Sequence, residues 1–513
     1  MSRGGGFPPG LGTVPVVVAI AVAAIAASGT LVPQFATRTV GTVGGGAAQQ
    51  GTADTGGAAG GPAAAQASAA AAGAPGAAAA AGGGTAAHGS AGGAASVQCA
   101  AGRNGGATAP GVSATEIHVA STIVTTGVGA GFLGEAVDGM QAAINEANAA
   151  GGVCGRRITL DTVNSGWDQN AGQQDISNYI NAGNVFALVG EPDSEGLKGA
   201  VDSGTVDRAG IPVVGSDGML ADQYTDPWVF PVAASTVSNM HIVAESAYAH
   251  GARSFGIVYD THYKFGQEGA AAFAAEVQRL GGTLQGAGGS GCAQAYCGIS
   301  SQDSSYSSAI TTFDNACGNA GGSGHPCDAV VMLLEPQPME VWMKGEENAA
   351  APWYGTLYGG EPLFDDNFAS LCAGRCAHLT VWTGYHPALQ PFDTEAPVSR
   401  YVQSLKSAFP DADAHNEFTE GAYLGTRLFI AACQAVGAQN KPLTRDNLRA
   451  ALTTTSFDLG LSAPLRFPAL PHIANTAMAA FADNSRQGGS FNGWNYLATG
   501  FVADRSAGKD MRS

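Results

Sequence analysis

Charge is scarce in this chain. Of its 513 residues only 12% are Asp, Glu, Lys or Arg, and 23 basic side chains stand against 41 acidic ones, a formal net charge of −18. Binding a phosphate backbone needs clustered Lys and Arg, so nucleic acid is not expected as a partner. The local signatures of catalysis are missing too. No G-x-x-x-x-G-K-[ST], H-E-x-x-H or G-x-S-x-G occurs, which removes the phosphate-cradling loop, the zinc-protease helix and the nucleophile elbow. Gly129, Gly131 and Gly134 do spell G-x-G-x-x-G. They follow the preceding apolar run by several residues, and Asp161 lies beyond the roughly 20-residue offset of a ribose-binding acid, so a dinucleotide site is rejected. No cofactor, metal or catalytic residue is expected.

Two further absences organise the N-terminal region. No charged residue stands between Arg3 and Arg38, and Val14 to Ala27 is apolar over the length of a signal-peptide core. Export follows, with the protein either secreted or anchored at the cell membrane. Residues 1–40 fit a cleaved signal peptide or a retained single anchor. The first cysteine is Cys99, too far on for lipid attachment behind this run. Residues 41–98 are mostly Ala and Gly, with Asp54 the sole acidic residue and no aromatic. Such a tract cannot offset its ordering entropy by burial and reads as a disordered linker.

Nine cysteines in an exported chain read as disulfides. Short separations suggest Cys292 with Cys297, Cys317 with Cys327, and Cys372 with Cys376, leaving Cys99 for Cys154. Cys433 lies in an apolar helical run and is expected as a buried free thiol. The alternative for Cys372, Cys376 and nearby His378 is a zinc site, although the fuller ligand spacing is missing.

From Pro110 onward, strands alternate with helices. Glu116 to Val124 and Arg157 to Val163 read as strands, and Val185 to Gly190 and Ile211 to Val214 as short buried ones. Helices are expected over Leu133 to Ala147, Asn170 to Ala182 and Ser194 to Arg208. The rhythm restarts with a helix from Ser235 to His250, strands over Ser254 to Tyr259 and Ala329 to Leu334, and a helix from Gly266 to Leu280. Two doubly wound α/β lobes follow, with ligand contacts beyond the carboxyl ends of the strands.

The segments NEANAAGGVCGRRITLDTVNSGWD, VFALVGEPDSEG, AGIPVVGSDGMLAD and SFGIVYDTHYKFGQEG resemble the solute-binding proteins of branched-chain amino acid ABC transporters, a type I periplasmic binding protein family. The resemblance runs from about Pro110 to Val502. It implies two Rossmann-like lobes joined by three crossings, lobe 1 taking 111–233 and 386–465 and lobe 2 taking 234–385 and 466–505. It also implies a non-enzymatic monomer that closes on an amino acid or related small polar solute and delivers it to a membrane permease.

On the same pattern Ser194 would hold a ligand carboxylate, at a helix N-terminus whose amides favour an anion; its bland alternative is a plain N-cap. Phe132 matches a cleft aromatic, and Phe265 stands where Tyr is common, with Tyr263 nearby. Ser216 and Asp217 occupy the loop that meets the ligand's backbone groups. Asp217 either pairs with an ammonium or forms an Asx turn. Glu361 matches the acid that receives the ligand amine, with Glu335 as a second acid. The competing readings are an anchored ligand sensor of the same fold, favoured by the long linker, and an extracellular hydrolase, for which no motif sets a nucleophile beside a base.

Overall fold

The computed structural model describes residues 99, 102–285, 292–293, 296–317, 327–347, 356–467, 469–486 and 489–506. The apolar N-terminal segment and the whole Ala/Gly linker lie outside them. Among the described residues no helix is long and apolar enough to cross a membrane.

The first sheet is built from β1 (Glu116–Ile123), β2 (Arg157–Asn164), β3 (Leu188–Val189), β4 (Val213–Val214) and β5 (Val229–Phe230), all parallel in the order β2-β1-β3-β4-β5. Helices α1 (Ala130–Leu133), α2 (Ala136–Ala149), α3 (Gln169–Ala182), α4 (Ser194–Asp202) and α5 (Thr205–Ala209) connect the strands. The central strands are covered on both faces, which is why 185–189 is a continuous buried apolar run rather than an alternating one. Two details differ from the sequence reading. The run 185–190 contributes only Leu188 and Val189 to the ladder. The helix expected over 194–208 breaks in two at Gly204, which takes a left-handed φ of 66° that glycine adopts without steric penalty.

The second sheet holds ten strands. Those before the return are β6 (Ser254–Asp260), β7 (Thr283–Leu284), β8 (Cys292–Ala293), β9 (Tyr296–Ile299), β10 (Ala329–Leu333), β11 (Thr356–Gly359) and β12 (Thr380–Thr383). Around them lie α6 (Thr236–Ala249), α7 (Lys264–Leu280), α8 (Ser307–Cys317), α9 (Pro336–Glu346) and α10 (Asp366–Cys372). The chain then leaves for α11 (Ala396–Ala408), α12 (Glu417–Ala438) and α13 (Arg445–Thr454), and comes back as β13 (Ala477–Asp483), β14 (Trp494–Tyr496) and β15 (Val502–Ala503). These last three pair antiparallel at the edge beside β12. Helices α11 and α12 pack on α2, so the excursion belongs to the first sheet's layer. The chain crosses between the sheets after β5, after β12 and after α13.

Helix α12 sits unusually close to its neighbours because glycines face it. A Cβ on Gly139 would fall on the Thr419 carbonyl, and one on Gly215 on the backbone of Gly425. At its far end, a Cβ on Gly437 would come within 2.5 Å of the Cys99 sulfur. The disulfides Cys99–Cys154, Cys292–Cys297, Cys317–Cys327 and Cys372–Cys376 are formed. Joining Cys372 to Cys376 removes the thiolates that a zinc site there would need. Cys433 is free and buried in α12, and burial pushes its thiol up, away from reactivity.

Two stability outcomes follow. Gly425→Ala should cost about 1–3 kcal/mol or more, because the added methyl meets backbone that cannot turn aside. Replacing Cys99 and Cys154 together by Ser should cost about 2–4 kcal/mol, since the bond closes a loop of 55 residues. Urea unfolding of each variant against the parent measures both.

Candidate functional site

Segments leaving the carboxyl ends of both sheets meet in one buried layer. From the first sheet come Phe132 after β1, Trp167 after β2, Ser194 after β3, and Ser216, Asp217 and Met219 after β4. From the second come Tyr263 and Phe265 after β6, Glu335 after β10 and Glu361 after β11. All ten are buried.

Trp167 holds the apolar half together. Its ring stacks on Tyr263 with centroids 3.9 Å apart and lies 5.9 Å from Phe265, while Phe132 meets it edge-on at 5.4 Å. Phe418, at the start of α12, closes the group against Phe132. The backbone at Trp167 has a φ of 65°, a left-handed turn that directs the indole into the cleft rather than along α3. Its Nε1–H donates to Ser194 Oγ at 3.0 Å. Ser194 therefore already serves a protein donor. It is not the N-cap of α4: that role falls to Asp193, whose carboxylate accepts the Gly196 amide at 3.0 Å.

The polar half is acidic. Asp217 Oδ1 accepts from Gln223 Nε2 at 2.8 Å and from the Met219 amide at 3.2 Å, the latter an Asx-type turn, while Oδ2 has no partner. Glu361 is approached by Thr236 Oγ1 and Asn239 Nδ2, each at a long 3.4 Å. Glu417, the first residue of α12, accepts from Thr383 Oγ1 at 3.1 Å and leaves Oε2 unpartnered. Asp217, Glu361 and Glu417 line one narrow cavity of about 10 Å³ together with Gly190, Gly215 and Phe418.

Burial raises all three carboxyls. Asp217 is pushed up to about 8. Glu361 rises by burial and by the nearby Asp217, and Glu417 by burial and by Glu361. No basic group acts on either Glu361 or Glu417.

The remaining sequence-derived candidates separate from this cavity. Ser216 is buried with its hydroxyl unpartnered. Glu335 starts α9 with both carboxylate oxygens unpartnered, and it interacts with Asp260 and Glu195 rather than with Glu361. Trp167 and Glu417 were not anticipated from sequence. Trp167 follows the carboxyl end of β2 in SGWD, so the strand-end rule applied to β2 would have found it. Glu417 lies on a helix of the returning segment, where no strand end points to it. A larger hollow of about 960 Å³ opens at the amino ends of β10 to β12, beside Ala329, Thr356 and Thr380. Ligands of parallel sheets bind at the opposite ends, so size alone does not make it the site.

A family model described as periplasmic binding protein matches residues 116–487. The chain belongs to that family. As a periplasmic binding protein it has the type I fold, and solved structures share it at low identity. The fatty acid ABC transporter substrate-binding protein of Thermomonospora curvata superposes with a TM-score of 0.63 at 15% identity, covering 78% of this chain and 96% of that one. A leucine binding protein from Thermotoga maritima gives 0.59 at 14%, covering 74% and 98%. A solute binding protein from R. palustris in complex with benzoate gives 0.59 at 16%, covering 76% and 98%. No curated protein matches.

In this periplasmic binding protein the acid layer makes stability depend on pH in a definite direction. Carboxyls raised in the folded state bind protons there that the unfolded chain releases, so their contribution is full below about pH 4 and is lost as pH rises through about 8. Asp217 and Glu361 face Glu417 and the Tyr224 and Tyr385 phenols, with Glu420 behind Glu417. None of these supplies a positive charge. Thermal unfolding of the ligand-free protein should therefore fall steadily from mildly acidic to mildly alkaline pH, and Asp217→Asn with Glu361→Gln should flatten that slope. An unchanged slope in the double variant would remove the cleft carboxyls as its source.

Proposed function

We propose that this protein is the extracytoplasmic solute-binding component of an ABC transporter, a non-enzymatic monomer that closes two lobes on a small polar solute carrying a positive amine and passes it to a membrane permease. Lobe 1 comprises residues 111–233 and 386–465, and lobe 2 comprises 234–385 and 466–505. The observation that carries the reading is Glu361, a buried carboxylate at the carboxyl end of β11 whose side-chain donors among the described residues are one hydroxyl and one amide group, each at 3.4 Å. Asp217 reaches the same cavity from the other sheet, so a cation held between them touches both lobes, which is the condition for a ligand to favour closure. Transport is supported by the naming of a structural relative as an ABC transporter substrate-binding protein. The relatives are named for fatty acid, leucine and benzoate, so the fold by itself does not choose the solute.

Thermal unfolding of the full chain against amino acids, amines, small carboxylates and sugars tests the reading. A solute at about 100 times its dissociation constant should add about 2.7 kcal/mol of stability. Glu361→Gln should weaken an amine-bearing solute by about ten- to a hundredfold, the value of a charged hydrogen bond of about 1.5–3 kcal/mol. Affinity unchanged within about threefold would remove Glu361 from the site.

A further inference from the structure

The end of the cleft that a ligand carboxylate would occupy is already filled. Ser194 accepts the Trp167 indole N–H, and that indole is packed between Phe132 and Tyr263. The neighbours of Ser194 are themselves acids, Asp193 immediately before it and Glu195 immediately after it, both buried. An incoming carboxylate would have to displace Trp167 and then face two carboxyls. At the other end the position is reversed. Asp217 Oδ2 and Glu417 Oε2 are buried carboxylate oxygens with no hydrogen-bond partner, and with Glu361 they surround the one narrow cavity. Besides these acids the slot is lined by small residues such as Gly190, Gly215 and Gly421 and by Pro192, Tyr385 and Phe418, and it is narrow and largely apolar apart from its acids.

We infer that the solute is an unbranched aliphatic diamine without a carboxylate, one ammonium taken by Glu361 with Asp217 and the other by Glu417. The inference rests on the solute-binding reading and sharpens it. A bare metal ion fits less well. Among the described residues, the acids and histidines whose ligand atoms converge within 4.8 Å of one another are Asp366, Asp413 and His415, away from this slot. The cleft carboxylates reach the slot from three separate elements, the loop after β4, the turn after β11 and the start of α12, which suits a molecule with charge at two points. In the arrangement described the slot has room for about 10 Å³, so the solute enters as the sheets part and is enclosed as they meet.

Calorimetric titration of the full chain with putrescine, cadaverine, butylamine, lysine and leucine, at about pH 7–8 where the amines stay protonated, decides the matter. Both diamines should bind at least about tenfold more tightly than butylamine, the effect of a second charged contact. Lysine, which is cadaverine with a carboxylate added, should bind more weakly than cadaverine. Glu417→Gln should bring the diamines to within about threefold of butylamine measured on the same variant. Trp167→Ala should narrow the gap between lysine and cadaverine, and it keeps the idea testable if the Glu417 variant does not fold by circular dichroism. Leucine or lysine binding more tightly than the diamines would overturn the inference and leave the solute-binding reading standing. No binding by any solute, in protein shown to be folded, would overturn both.

Discussion

A carboxylate removed from water without a cation beside it is strongly disfavoured in its charged form, and this constraint governs the cleft. Several kcal/mol oppose ionisation of each such group, so Asp217, Glu361 and Glu417 take protons rather than charge when nothing positive is present. The formal net charge of −18 therefore overstates the charge that the folded interior carries. It also means that the site is poised: a cation entering the slot meets groups that gain by ionising against it, and the protons they release are part of the binding equilibrium. Acids elsewhere in the core show the other solution. Glu191 is buried but is met by the Thr122 amide at 3.0 Å and the Ser121 hydroxyl at 3.3 Å, and Glu146 is held down by Arg427 and Tyr423.

The slot exists because α12 can approach so closely. Glycine at 139, 215 and 425 permits backbone-to-backbone contact between α12, α2 and the loop after β4, and that contact brings Glu417 and Phe418 to the same depth as Asp217. Bulk at those positions would push the helix outward and carry the second carboxylate away from the cleft. Contacts across the two sheets then fix their spacing. The Lys264 amide donates to Glu195 at 2.5 Å, the Ala221 amide to Glu268 at 3.0 Å, and Asn416 to Asp365 at 2.9 Å. The first two are part-buried and the third is buried, while Trp167 and its aromatic neighbours pack between the sheets.

Much of the fold was legible because buried parallel strands and amphipathic helices write themselves as period and run. β1, β2, β6 and β10 fall where their apolar patterns put them, and Ser235 announced the start of α6. The short strands were less legible, since a ladder of two residues such as Leu188 and Val189 depends on neighbours that a local window does not contain. The resemblance named Glu361 after β11 and Ser194 as ligand contacts, and in the structure Ser194 accepts the Trp167 indole N–H. That assignment could not foresee Trp167, because only the left-handed backbone at that residue turns the indole across the cleft onto Ser194. Glu417 was equally hidden. Its place depends on glycines nearly 280 and about 200 positions earlier in the chain, Gly139 and Gly215, a relation between segments that no spacing rule encodes.

Trp167 also changes what closure means for this cleft. In a two-lobed binder, a ligand shifts the equilibrium toward the closed form only by the difference in its affinity for the two forms. Here part of the bridge between the sheets is intrinsic: the indole from the first sheet stacks on Tyr263 of the second and donates to Ser194 behind it. The closed form thus has an interaction of its own, worth about 0.5–1.5 kcal/mol for an aromatic pair beyond its burial. Against it stands the cost of bringing three carboxyls together out of water. The balance of those two terms leaves the ligand-free cleft able to close while its acids are neutral and reluctant once they ionise. A cation in the slot removes the opposing term without disturbing the stack, so its binding energy adds to a bridge already in place rather than replacing one.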